Sequence, residues 1–217
     1  MFPFSAVHYY LPLIRQIGAR MDKRGKTKTF GLKTPTDLLY KLLFDIERLK
    51  KATLQYEARY AAIDCAVNGW HLVDWVLHRE QIDDAHFTRL TGGRKRDETD
   101  QERGKFRGKT VEVSFAETQE DRLPALKFCR NLANSVKHRE IRKDSMPELW
   151  SGSSYKLTWE TINGERSLRS HSLFVYVGYE NEKHHATDLF EEMANQWRTF
   201  LIEEGLFEPI PDEDAES

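Results

Sequence analysis

Between Ala61 and Leu77 the only polar residues are Asp64, Asn68, His71 and Asp74; every other position is apolar, aromatic or glycine. Apolar residues recur at helical spacing from Gln55 to Glu80, and no proline interrupts them. At about 100° per residue, Tyr60, Asn68, His71, Trp75 and His78 fall within about 40° of Asp64, and Asp74 falls near −80°. A helix apolar round most of its circumference has to be enclosed by other elements. The rest of the chain must therefore wrap it and leave at most a narrow polar strip.

The wrapping pieces are legible as periodic segments. Thr36 offers an N-cap for a helix over 36–53, with Leu38, Leu39, Leu42, Leu43, Ile46 and Leu49 at helical spacing. Residues 81–91 suit a short helix that Gly92-Gly93 ends, and Val111, Val113 and Phe115 alternate as in a strand. A strong helix is predicted from Asp121 to about Arg139, with Pro124 in its first turn, and a last one over 186–204, ended by Gly205. Before that last helix the period changes to two, in Tyr155, Leu157, Trp159 and Thr161 and again in Leu173, Val175, Val177 and Tyr179. Asn163-Gly164 resembles a tight turn. Matching apolar residues across the pair instead sets Trp159 opposite Leu173, Leu157 opposite Val175 and Tyr155 opposite Val177, which calls for a longer loop near 162–170.

The expected class is mainly α (α+β): a helical bundle with a C-terminal antiparallel β-strand pair followed by a long final helix. At 217 residues one domain is expected, over 1–205, containing a basic connector at 16–33, a charged loop at 92–118 and the β pair at 155–179. An acidic tail, 206–217, would follow. From Arg15 to Lys33 seven basic residues stand against Asp22 alone, and seven acidic residues follow Ile202 with no basic one. Such ends suit a polyanion-binding arm, mutual attraction, or plain solvation.

Cys65 and Cys129 are the only cysteines and sit on apolar helical faces, which favours a reducing compartment over a disulfide scaffold. No run approaches the roughly 20 apolar residues of a membrane span, and the start lacks a secretory signal pattern. The expectation is a cytoplasmic protein with no membrane partner.

The strip on the apolar helix, with Asp64, Asn68, His71, Asp74 and His78, reads either as a solvent face or as the lining of an enclosed polar site. A second polar face lies on the helix after Pro124. It holds Arg130, Asn131, Asn134, Lys137 and His138, opposite Ala125, Phe128, Cys129, Leu132 and Val136. A guanidinium fork, an ammonium, two amides and an imidazole are groups that phosphate handling uses, and also groups that an exposed helix carries.

Arg130-Asn131 followed on the same helix by His138 resembles the Arg-polar-spacer-His motif of the HEPN superfamily of helical toxins and antiphage nucleases, here with a longer spacer. The resemblance covers roughly 35–140. It implies a homodimeric helical bundle that binds RNA and cleaves it without metal or cofactor. In that scheme His138 is general acid or base, Arg130 stabilises the phosphorane, and Asn131 or Asn134 orients the groups. Asp64, Asn68, His71, Asp74 and Lys137 would then supply a supporting polar site. A metal site built from His71, Asp74, His78 and His138 has no ligand motif behind it, and no Gly-rich phosphate loop or nucleophile elbow is present. The alternative is a non-catalytic interaction subunit that assembles with itself or with a partner protein.

Overall fold

Thr34 and Asp37 close a reciprocal capping box. The Asp37 amide donates to Thr34 Oγ1 at 3.1 Å, the Thr34 amide donates to Asp37 Oδ2 at 2.9 Å, and Pro35 occupies the first turn. The first helix, α1 (Pro35–Lys51), therefore starts two residues earlier in cap terms than Thr36 suggested. Thr36 is buried and serves elsewhere: its hydroxyl donates to the Leu206 carbonyl at 3.4 Å and accepts from the Glu208 amide at 2.9 Å.

This computed structural model describes residues 29–99, 104–106, 108–137, 146–163 and 165–209. The other helices are α2 (Gln55–Leu77), α3 (Asp84–Leu90), α4 (Val111–Thr118), α5 (Leu126–Lys137) and α6 (Ala186–Glu203), with one 3-10 turn at Gly104–Phe106. A small antiparallel sheet, β1 (Trp150–Ile162), β2 (Glu165–Tyr179) and β3 (Glu182–His185), lies between α5 and α6 in the order β1-β2-β3. The fold is thus mainly helical, with a C-terminal antiparallel sheet followed by a long helix. The sheet has a third strand that the sequence pattern did not announce. Among the described residues no helix is long and apolar enough to cross a membrane.

Helix α2 occupies the centre, as its composition demands. It touches α1, α4, α5, α6 and the first two strands, and one continuous apolar core runs through these helices and β2. Gly69 lets it pack tightly on α5, since a Cβ there would stand 3.1 Å from Cys129 Sγ. The same residue's carbonyl accepts from Trp197 Nε1 of α6 at 3.0 Å, so the indole is buried without an unpaired donor.

Residues 111–118 form a helix, not the strand that the alternation of Val111, Val113 and Phe115 suggested. The Thr110 hydroxyl caps it by accepting from the Val113 amide at 3.4 Å. Phe115 then turns wholly inward and packs 6.0 Å from Trp197 and 5.5 Å from Phe200, ring centre to ring centre. Burial of that ring outweighs the β preference of two valines. Helix α5 begins at Leu126 rather than Asp121, with Pro124 in the turn before it, and Arg139 lies outside the described residues.

Arg94 ties the charged segment before α4 to the body. It is 3% exposed, pairs with Glu98 and donates to the Lys109 carbonyl at 2.9 Å. Arg96 donates to the carbonyls of Leu77 and Ile82 at 3.1 and 2.6 Å and lies over the Phe87 ring. These two arginines anchor the segment and are not spread as a free basic surface.

The hairpin follows the turn signal and not the match of apolar residues across the strands. Ile162 pairs with Glu165, so two residues link the strands, and Asn163 has the positive φ of 52° that a tight turn favours. Thr158 pairs with Ser170 and Trp159 with Leu168, which leaves Arg169 as an extra residue in β2. Beyond the bulge Tyr155 meets Leu173, Leu157 meets His171 and Ser153 meets Val175. The expected pairs with a long loop do not form; the bulge takes up the one-residue offset.

Candidate functional site

The strip on α2 divides into two parts with different surroundings. Its N-terminal part lies in the seam with α1. There the buried Asp45 carboxylate accepts from Lys41 Nζ at 2.7 Å, Arg48 NH1 at 3.0 Å and Asn68 Nδ2 at 2.7 Å. Arg48 NH1 also bonds Asp64 Oδ2 at 3.0 Å. Hydrogen bonds first to Asp64 and then to Asp45 raise the Arg48 pKa further. The cluster pairs two cations with two carboxylates and gives Asp45 three donors, which is what a carboxylate needs in order to stay buried.

Sequence reasoning identified Asp64 and Asn68 but missed Asp45, Lys41 and Arg48. A signal was present: Asp45 follows Leu42 by three and precedes Ile46 by one, so it falls on the apolar face of α1. A carboxylate on such a face requires donors, and Lys41 and Arg48 stand one turn away on either side.

The C-terminal part of the strip faces solvent. His71 and Asp74 are exposed, and His78 Nδ1 lies 2.9 Å from the Asp74 carbonyl oxygen and 3.4 Å from its carboxylate. Lys33, Asp74, Trp75, His78, Arg79 and Glu80 border a shallow depression there. Among the described residues no three His, Cys, Asp or Glu side chains cluster to hold a metal ion.

Part of the polar face of α5 is used in packing. The Arg130 guanidinium lies 5.9 Å from the centre of the Trp70 ring, and Trp70 stands about 100° round α2 from His71. Asn131 is buried and donates to the Lys127 carbonyl at 2.8 Å. Asn134 is half-buried, Lys137 is exposed, and His138 lies outside the described residues. Among the described residues no hydrogen bond or ion pair joins Asp64, His71 or Asp74 to Arg130, Asn134 or Lys137. The structure brings Arg130 to α2 through an aromatic ring, away from the strip.

A third polar cluster, not foreseen from the sequence, sits at the end of α6. Glu204 accepts from Arg122 NH1 at 2.7 Å and from Arg89, with His86 Nε2 at 2.6 Å. Burial by itself would raise the carboxyl, but the bonds from Arg89, Arg122 and His86 outweigh it and hold the pKa down at about 2. Arg122 also lies 4.3 Å over the Phe200 ring. The cluster joins α3 and the segment before α5 to α6, with the Glu204 carboxylate as its common acceptor.

Two features near the sheet remain. A mostly apolar groove of about 360 Å³ lies between α2, α5, the base of the hairpin and α6, walled by Ala62, Ala66, Leu132, Val175 and Phe190. Beyond it, past the Tyr155 hydroxyl that donates to the Thr53 carbonyl at 3.4 Å, the outer half of the hairpin leaves the helices, and Tyr155, Leu157, Trp159 and Leu168 are 41%, 49%, 45% and 48% exposed. All four belong to the sheet face that carries the buried Val175 and Val177 nearer the core. Arg166 covers part of the Trp159 ring at 4.9 Å.

No protein-family model matches the sequence, and no curated protein or solved structure matches it either.

Proposed function

We propose that this protein acts as an interaction subunit and that the outer half of the β1–β2 hairpin is its contact surface. The observation that carries this reading is the row of Tyr155, Leu157, Trp159 and Leu168. Four large apolar side chains, each more than two-fifths exposed, continue a core-facing sheet surface past the body that covers it. Contiguous exposed apolar surface of this kind marks sites that another molecule covers. Four of the nine polar residues that suggested a catalytic site are occupied in the fold: Asp64 and Asn68 in the α1–α2 seam, Asn131 in its own helix, Arg130 on Trp70.

The test is a photo-crosslinking amino acid placed at Leu157 of the full chain in cells, with Lys95 as an exposed control position. Protein adducts at 157 and not at 95 support the reading. Equal yields at both positions count against it. RNA recovered from position 157 in place of protein would transfer the surface to the RNA-binding reading.

A further inference from the structure

The interaction reading leaves the identity of the partner open, and the free edge of the sheet supplies it. In the strand order β1-β2-β3, β1 is terminal and pairs only with β2 among the described residues. Residues 154–159 of that edge are exposed. Strands at the edge of a monomeric sheet are commonly blunted by proline, by a short length or by charges that repel a second strand. Here the strand is 13 residues long and contains no proline.

Its two charges are of opposite sign and stand four residues apart, Lys156 and Glu160. Neither meets an opposite charge within the hairpin, because Lys156 is paired with Ser172 and Glu160 with Ser167.

We propose that a second copy of this chain adds antiparallel to the outer edge of β1, about a two-fold axis through Thr158. In that register Lys156 lies opposite the partner's Glu160, and the symmetric pair repeats the contact. Thr158 faces the partner's Thr158, and on the other face of the sheet Leu157 lies beside the partner's Trp159. Opposite charges, paired threonines and apolar–aromatic neighbours are the cross-strand combinations that stabilise antiparallel pairs.

The register is selective. A slip of one residue turns the apolar row against the polar face. A slip of two sets Lys156 opposite the partner's Thr158 or Ile162, and both charge pairs are lost. The result is a six-stranded sheet with isologous symmetry, in which the apolar rows of both copies become continuous.

The proposal rests on the hairpin being a contact surface, and its test is chosen to fail separately. Sedimentation velocity of the full chain over a concentration series should show a reversible dimer. Lys156→Glu and Glu160→Lys should each weaken dimerisation about tenfold or more, because each sets like charges opposite one another twice. The double variant Lys156→Glu/Glu160→Lys should dimerise as the wild type does, since the swap restores both pairs. Thr158→Cys should give a disulfide-linked dimer on mild oxidation. A wild type that is monomeric at every concentration overturns self-pairing, even where the crosslinker at Leu157 still captures another protein. So does a double variant that is weaker than either single one. Circular dichroism of each variant keeps loss of pairing distinct from loss of folding.

Discussion

Asn68 Nδ2 on α2 donates to Asp45 Oδ2 on α1 at 2.7 Å, and this bond joins two packed helices through a carboxylate that water scarcely reaches. The α2 residue is one of those that first suggested a polar site. Its partner shows that the amide acts as structural support for a buried charge. Asn68→Ala leaves one carboxylate oxygen a donor short in a closed seam, and the expected loss is about 1–3 kcal/mol. Asp64→Ala removes only a half-exposed ion pair and is expected to cost about 1 kcal/mol or less. Urea unfolding of both variants checks the order; an Asp64 variant that loses more than the Asn68 variant would reverse this assignment.

Glu204 predicts an acid limb of stability. Its folded pKa, about 2, lies below the ordinary carboxyl value of 4.5. The unfolded state therefore takes up the proton first, and the contribution is fully present above about pH 4.5 and lost as pH falls from there towards 2. Thermal melts between pH 6 and pH 2.5 should show the wild type losing more stability on acidification than Glu204→Gln. Parallel curves for the two proteins would remove Glu204 as a source of the slope.

The thiols are expected to be inert in the folded chain. Burial pushes Cys129 up to about 12, and burial, followed by the nearby Asp45 charge, raises Cys65 well above its ordinary value. Since the thiolate is the reacting species, neither should be labelled by a disulfide-exchange reagent at pH 8, and both should be labelled in denaturant. Rapid native labelling of either thiol would contradict the packing of α2 against α5.

Arg130→Ala is expected to cost about 0.5–1 kcal/mol through loss of the contact with Trp70. On the interaction reading, mixed RNA incubated in EDTA should stay intact with the wild type, Arg130→Ala and His138→Ala alike. Cleavage by the wild type that both substitutions abolish would instead favour the endoribonuclease implied by the HEPN resemblance.

The placement of α2 was legible because its composition leaves one solution: a helix apolar on nearly every side goes to the middle. Function was less legible, for reasons visible in single residues. Asp64 and Asn68 read as a pair of polar positions, yet what they do depends on Asp45, which helix packing brings to them from the preceding helix. Arg130 and His71 lie on helices that do pack together, but the ring of Trp70 takes the guanidinium. Three alternating apolar residues cannot separate a strand from a helix in which Val111 and Phe115 stand one turn apart; the cap at Thr110 and the pocket beside Trp197 decide it. Nothing in the local sequence marks Arg169 as a bulge, because the offset it absorbs is between a turn and a core that lie at opposite ends of the hairpin. Strand β3 is four residues of charge and histidine, and only pairing with β2 makes it a strand.

Thr36 and Arg79 give the body one further property. The Thr36 hydroxyl holds the backbone of Leu206 and Glu208, while Arg79 donates to the Lys33 carbonyl at 3.2 Å and pairs with Glu208. Arg79 thus clamps Lys33 and Glu208 side by side, so loss of this one guanidinium would loosen the first and the last described segments together.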